Sequence, residues 1–197
     1  MNIDSGIKYL RKVDPDFSTV LDRAGEMNLP PAEEPFEALV NSIISQQLST
    51  KAAATISQRV MLTLENDIKP RRVLETSAER LRMAGLSGQK TKYLKALAEA
   101  FQSNPQSYDG LHELENDEII KRLTEIKGIG VWTAHMFLMF TLLREDVFPI
   151  GDLGIRRGME TFLFEGEKQE HSVLIKRAEP WKPYRSVASL ALWKAQG

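Results

Sequence analysis

The sequence predicts an all-α protein. Apolar residues recur at helical spacing through most of the chain, convincing period-two strands are absent, and helix breakers fall between the periodic stretches. Phe36, Leu39, Val40, Ile43 and Ile44 follow the i, i+3, i+4, i+7, i+8 spacing of one buried face. Ile56, Val60 and Leu64 mark a second helix, and Tyr93, Leu94, Leu97, Ala98 and Phe101 a third. Ile119, Ile120, Leu123 and Ile126 give a fourth; two more run from Trp132 to about Phe140 and from Leu153 to about Phe164. Pro183, a favoured first-turn residue, is expected to open the last helix, which carries Val187, Leu190, Ala191 and Trp193. Only Asp146-Val-Phe-Pro149 reads as extended.

The breakers are Pro30-Pro31, Pro35, Lys69-Pro70, Gly85, Gly88, Asn104-Pro105, Gly110, Gly166 and Pro180. None belongs to a long linker, and no internal repeat is visible. The expectation is a compact chain of roughly ten helices.

With 197 residues the chain can bury a real core, as one domain or two small lobes. Its apolar and charged fractions, 42% and 27%, are those of an ordinary globular protein. No apolar run approaches the roughly 18 residues of a membrane span, and Met1-Asn-Ile-Asp-Ser-Gly6 has neither the basic start nor the apolar core of a secretion signal. The absence of cysteine removes disulfides, thiolate zinc sites and thiolate-bound iron–sulfur clusters. These features imply a cytosolic protein, with a monomer as the default. Net charge is −1, but residues 121–197 hold 12 Lys/Arg against 9 Asp/Glu. That modest local excess leaves room for a phosphate-binding face in the second part of the chain.

The most informative segment is Ile126-Lys-Gly-Ile-Gly-Val-Trp-Thr-Ala134. Glycines flank one apolar residue between two helices, so a foreign backbone can approach closely. Ile129 is placed to plug the gap between the helices. N–H groups at the start of the following helix would meet a phosphate, assisted by the helix dipole and by Lys127. Such hairpins often also hold a monovalent cation, Na+ or K+, through turn carbonyls, here near Ile126 and Gly128. For Gly-x-Gly alone, a plain helix stop and restart is the competing reading. Asp152, 22 residues beyond Gly130, stands at the start of the next helix, where a simple N-cap is the competing role. His112, His135 and His171 are scattered and show no metal-ligand spacing.

Together with Phe36–Ala53 and the closing Trp181-Lys-Pro-Tyr-Arg-Ser-Val-Ala-Ser-Leu-Ala-Leu-Trp193, these segments resemble the helix–hairpin–helix (HhH-GPD) DNA glycosylases, above all the DNA-3-methyladenine glycosylase II branch. The similarity runs from about residue 9 to residue 193. It implies a two-lobed helical fold with the active cleft between lobes: about 1–34 plus 146–197 in one, about 35–145 with hairpin 126–131 in the other. It implies hydrolysis of the N-glycosidic bond of alkylated purines, of the 3-methyladenine and 7-methylguanine class, in double-stranded DNA. No redox or organic cofactor is expected. The setting would be the bacterial or archaeal nucleoid, or the nucleus of a eukaryote.

By the same resemblance Asp152 is the catalytic carboxylate, stabilising an oxocarbenium-like state and orienting or deprotonating water. Lys127, Gly128, Gly130 and Thr133 would contact the DNA backbone. Trp132, Met136 and Trp193 would line the base pocket, an indole face suiting an electron-poor alkylated ring; ordinary core packing is the other role open to the tryptophans. Gln47 is the expected wedge that fills the gap left by the extruded nucleotide, with Leu48 beside it and Gln46 turned inward to backbone groups. A polar helix end is the alternative for this segment. The bifunctional relatives' lysine nucleophile falls where this chain has Trp132, so no AP-lyase activity is expected. Two other functions remain open to the sequence: a non-catalytic lesion-binding module, and a glycosylase for deaminated or mismatched bases.

Overall fold

The computed structural model describes residues 1–108 and 110–197. No strand occurs among them, and the chain divides into two compact units, Met1–Ala32 with Leu138–Gly197, and Glu33–Phe137.

The first unit begins with α1 (Ile3–Val13) and α2 (Ser18–Ala24). Asn2 caps α1 by accepting from Ser5 N at 3.0 Å, and Arg11 and Lys12 in its last turn suit the negative end of the dipole. The second unit then takes α3 (Pro35–Ser45), α4 (Thr50–Thr63), α5 (Pro70–Glu75), α6 (Ala78–Met83), α7 (Gly88–Ser103), α8 (Asn116–Thr124) and α9 (Val131–Met136). Its starts follow local chemistry: proline opens α3 and α5, and Ser49, Ser77 and Ser87 cap α4, α6 and α7. The chain returns to the first unit with α10 (Leu153–Leu163), α11 (His171–Ala178) and α12 (Arg185–Ala195).

In the second unit α7 is the hub, packing on α3, α5 and α6 with Leu94, Leu97 and Ala98 fully buried. The face foreseen on α3 is the buried one: Phe36, Leu39, Val40, Ile43 and Ile44 all lie in the core. Two lysines of α7 close the ends of neighbouring helices. Lys95 Nζ donates to Val73 O, Leu74 O and Thr76 O at 2.6–2.8 Å, capping α5, and Lys90 does the same for α3.

In the first unit α12 is the hub, against α1, α2 and α10. A methyl group on Gly6 would lie 2.6 Å from Val187 Cγ2, so glycine lets α1 reach α12. Trp181 is fully buried between Phe17 and Phe148, with ring centroids at 4.6 and 6.0 Å. Burying an indole of about 200 Å² contributes roughly 5 kcal/mol, provided its N–H is satisfied. Asp14 satisfies it at 2.6 Å and also takes both guanidinium arms of Arg177.

Several elements differ from the expectation. The short helices α2, α5, α6 and α11 have six to eight residues, too few to display a period. The helix from Trp132 does not run regularly to Phe140: α9 ends at Met136 and the chain widens into a π-helical turn over Phe137–Thr141. Pro183 does not open the last helix. Tyr184 N donates to Trp181 O at 2.7 Å, making a turn of residues 181–184, and Tyr184 is the non-helical cap before Arg185. The Lys182–Pro183 bond within that turn is cis. Asp146–Pro149 is extended but joins no sheet; α12 side chains hold it instead, through Arg185 on Asp146 (2.6 and 3.0 Å) and Ser186 Oγ accepting from Val147 N at 2.9 Å.

Burial alone would raise the Asp14 carboxyl, but the hydrogen bonds from Arg177 and Trp181 and the Arg177 charge outweigh it and hold it below the ordinary carboxylate value. A depressed folded-state value makes this stabilisation complete above the unfolded-state value of about 4, and it is lost as pH falls through the folded-state value. Asp14→Asn should therefore cost about 3 kcal/mol at pH 7, and its deficit against the parent protein should shrink on acidification. Urea unfolding at pH 7 and near pH 3 tests both; a deficit that grows in acid contradicts the assignment.

Candidate active site

The second unit carries the hairpin. Ile126 and Ile129 are buried, and Ile129 N closes the turn on Ile126 O at 3.0 Å, as its place between α8 and α9 requires. The two glycines differ in kind. Gly128 has φ +100°, and a methyl group there would overlap the Tyr93 ring, so both backbone and packing demand glycine. Gly130 has φ −99° and ψ 172°, ordinary extended backbone, and a Cβ there would have nothing within 4 Å. Its bareness serves no internal contact; it leaves the hairpin open to an incoming group. The first bond of α9 is Ala134 N to Gly130 O, so the N–H groups of Val131 and Thr133 precede it. Lys127 is exposed beside the turn, whereas Thr133 is buried.

On α9, Trp132 is half exposed (49%) and Met136 is partly buried. At the end of α3, Gln47 is exposed and held at φ +57°, a left-handed conformation that costs a non-glycine residue about 1 kcal/mol. Leu48 beside it is 38% exposed. Gln46 turns inward and donates from Nε2 to Gly128 O at 2.9 Å, so the turn before α4 is tied to the hairpin. Lys90 donates to Ile44 O and Gln46 O, both at 2.7 Å, and burial pulls its ammonium below the ordinary lysine value.

The first unit carries the carboxylate. Asp152 caps α10: its Oδ1 accepts from Ile155 N at 2.9 Å and from Trp193 Nε1 at 2.9 Å. Both donors fix the orientation of the carboxylate at the helix N-terminus. Asp152 is therefore the N-cap of α10. Trp193 is partly buried, stacked near Phe140 at 6.1 Å with 24° between planes, and its indole N–H is committed to Asp152. Glycine at 154 permits this: a Cβ there would lie 2.9 Å from Asp152 Oδ1 and 2.9 Å from Trp193 Cδ1. One turn on, a Cβ at Gly158 would lie 2.9 Å from Gln196 Nε2, which itself donates to Gly154 O at 3.0 Å. Gly154, Gly158, Lys90, Tyr93 and Gln196 escaped the sequence reading, although Gly154-x-x-x-Gly158 is a visible signal for close helix packing. No group of three or more His, Cys, Asp or Glu suited to a metal occurs among the described residues.

The family model described as HhH-GPD superfamily base excision DNA repair protein matches residues 40–183. DNA-3-methyladenine glycosylase 1 of Schizosaccharomyces pombe is 37% identical over 165 residues, covering 82% of this chain and 72% of its own. The crystal structure of a Bacillus halodurans DNA-3-methyladenine glycosidase superposes with TM-score 0.89 at 40% identity, covering 98% of this chain and 89% of that one. The S. pombe 3-methyladenine DNA glycosylase in complex with abasic DNA superposes with TM-score 0.82 at 32% identity, covering 96% and 95%.

The glycines separate by experiment. Gly128→Ala should cost about 2 kcal/mol through overpacking on Tyr93 and a strained φ. Gly130→Ala should leave stability within about 0.5 kcal/mol yet weaken binding to duplex DNA, read by fluorescence anisotropy. Equal stability losses, or unimpaired binding by folded Gly130→Ala, contradict this division.

Proposed function

The chain belongs to the HhH-GPD superfamily of base excision DNA repair proteins, and from that membership we propose that it is a monofunctional DNA glycosylase hydrolysing the N-glycosidic bond of alkylated purines in double-stranded DNA. The observation that carries the reading is Asp152, fixed at the start of α10 by Ile155 N and Trp193 Nε1 in a chain 40% identical to a DNA-3-methyladenine glycosidase. The substrate class is that of 3-methyladenine and 7-methylguanine.

In this reaction the bond between C1′ and the purine nitrogen breaks with its electron pair moving to the base. Methylation at N3 or N7 has already placed positive charge on the purine, so the base leaves neutral with little acid assistance. The positive charge passes to the sugar, and the Asp152 carboxylate stabilises it. Water then adds at C1′, its proton accepted by the same carboxylate, and an abasic site remains. Because both donors land on Oδ1, the carboxylate is oriented before substrate arrives, which avoids reorganisation during the reaction.

The other residues take supporting roles. Lys127, Gly128, Gly130 and Thr133 grip the DNA backbone. Gln47, with Leu48, fills the space of the extruded nucleotide. Trp132, Met136 and Trp193 are the residues for the base, and Trp193 also donates its indole N–H to Asp152. Trp132 stands where a Schiff-base lysine would be required, so cleavage of the strand is not coupled to base release. The protein acts as a monomer where DNA is, in a nucleoid or a nucleus; among the described residues no helix is long and apolar enough to cross a membrane.

The test is release of free bases from duplex DNA treated with a methylating agent. The parent protein should release 3-methyladenine or 7-methylguanine, and Asp152→Asn should lower the rate by at least about 100-fold. Excision of uracil or mismatched thymine without release of methylated purines would move the substrate class to deaminated or mismatched bases. Binding to abasic DNA with no base release at all would reduce the protein to a lesion-binding relative.

A further inference from the structure

Two DNA-facing loops of the second unit rest on one face of α7, and the contacts that seat them are specific. Lys90 and Tyr93 are three residues apart on that helix and so share a face. Tyr93 packs on Gly128 of the hairpin. Lys90 Nζ donates to Ile44 O and Gln46 O, both at 2.7 Å. The Gln46 carbonyl belongs to the peptide that precedes Gln47, so fixing it fixes the plane about which Gln47 takes its φ of +57°. The side chain of Gln46 completes the circuit by donating to Gly128 O at 2.9 Å.

The consequence is geometric. A plug that enters a duplex must stand at a set distance from the grip on the backbone, and misplacement by about 1 Å is enough to impair such a site. Gln47 is exposed and lies in a left-handed turn that Leu48 N closes by donating to Ser45 O at 3.1 Å. We propose that Lys90 and Gln46 are positioning residues for nucleotide extrusion, holding the Gln47 turn at a fixed separation from the hairpin. The proposal rests on the glycosylase reading and assigns two residues that neither touch the base nor carry out its hydrolysis. A lysine on an exposed face would have its ammonium hydrated and mobile; here both bonds go to backbone flanking the plug, which is the arrangement a strut requires.

The experiment uses the full chain with Lys90→Met, which keeps the apolar stem, and Gln46→Leu, which breaks only the tie to Gly128. The probe is a duplex holding a tetrahydrofuran abasic analogue beside 2-aminopurine, whose fluorescence rises when the strand is unstacked. Both variants should lose most of that rise and slow single-turnover release of methylated bases at saturating protein by tenfold or more. Anisotropy on undamaged duplex should stay within twofold, because the hairpin keeps Tyr93 and both glycines. If both variants fold and give the parent's fluorescence rise and release rate, Lys90 is only a helix cap and the proposal fails. Should Lys90→Met not fold, Gln46→Leu decides alone by the same criteria. A parent protein that raises fluorescence but releases no base defeats the glycosylase reading, while loss of the rise in the variants still supports the positioning role. A parent protein that raises no fluorescence defeats both.

Discussion

One carboxylate oxygen, Oδ1 of Asp152, accepts hydrogen bonds from Ile155 N and Trp193 Nε1, and much of the first unit is arranged to keep those two bonds. Ile155 N is local, available to any aspartate at a helix start. Trp193 is 41 residues away and reaches the carboxylate only because α10 and α12 touch closely. Gly154 and Gly158 remove the side chains that would hold the helices apart, and Gln196 reaches back to Gly154 O. α12 is itself fixed from three directions: Gly6 of α1 against Val187, the Arg185–Asp146 ion pair, and Ser186 on Val147 N. The carboxylate that we propose for catalysis is thus held by packing that shows no chemistry of its own.

The second unit solves its problem with buried cations at helix ends. Helix C-termini leave carbonyls without intrahelical partners, and the positive end of a lysine is well matched to them. α7 supplies Lys90 to α3 and Lys95 to α5, and burial lowers both ammonium groups, so their donors are spent where water is scarce. The same helix offers Tyr93 to the hairpin. Its central place among α3, α5 and α6 makes it the natural reference for any distance between the loops at its end.

Legibility in the sequence varied with the range of the interaction. The core of α3 was readable residue by residue, because a helix with one buried face repeats that face every 3.6 residues. Ile129 as the hairpin's plug was readable from type and position, and the structure buries it. The helices of six to eight residues were not readable, nor was the break of α9 into a π-helical turn, since neither leaves a period long enough to see. Pro183 misled because a proline suits both a helix start and the turn before one, and the Tyr184–Trp181 hydrogen bond chose the turn.

What the sequence by itself determined is local chemistry: an all-α chain, glycines between two helices where a backbone can be open, and an aspartate at a helix start able to cap it. Only the tertiary structure decided that the Trp193 indole is committed to Asp152 Oδ1, and that a side chain at position 128 would meet Tyr93 while one at position 130 would meet nothing within 4 Å. It also decided that Gln46 and Lys90 meet the hairpin and the Gln47 turn, 82 and 44 residues apart in the chain. The reason is physical: a period or a cap is set by neighbours within a few residues, whereas a hydrogen bond between distant segments exists only once the core between them has closed.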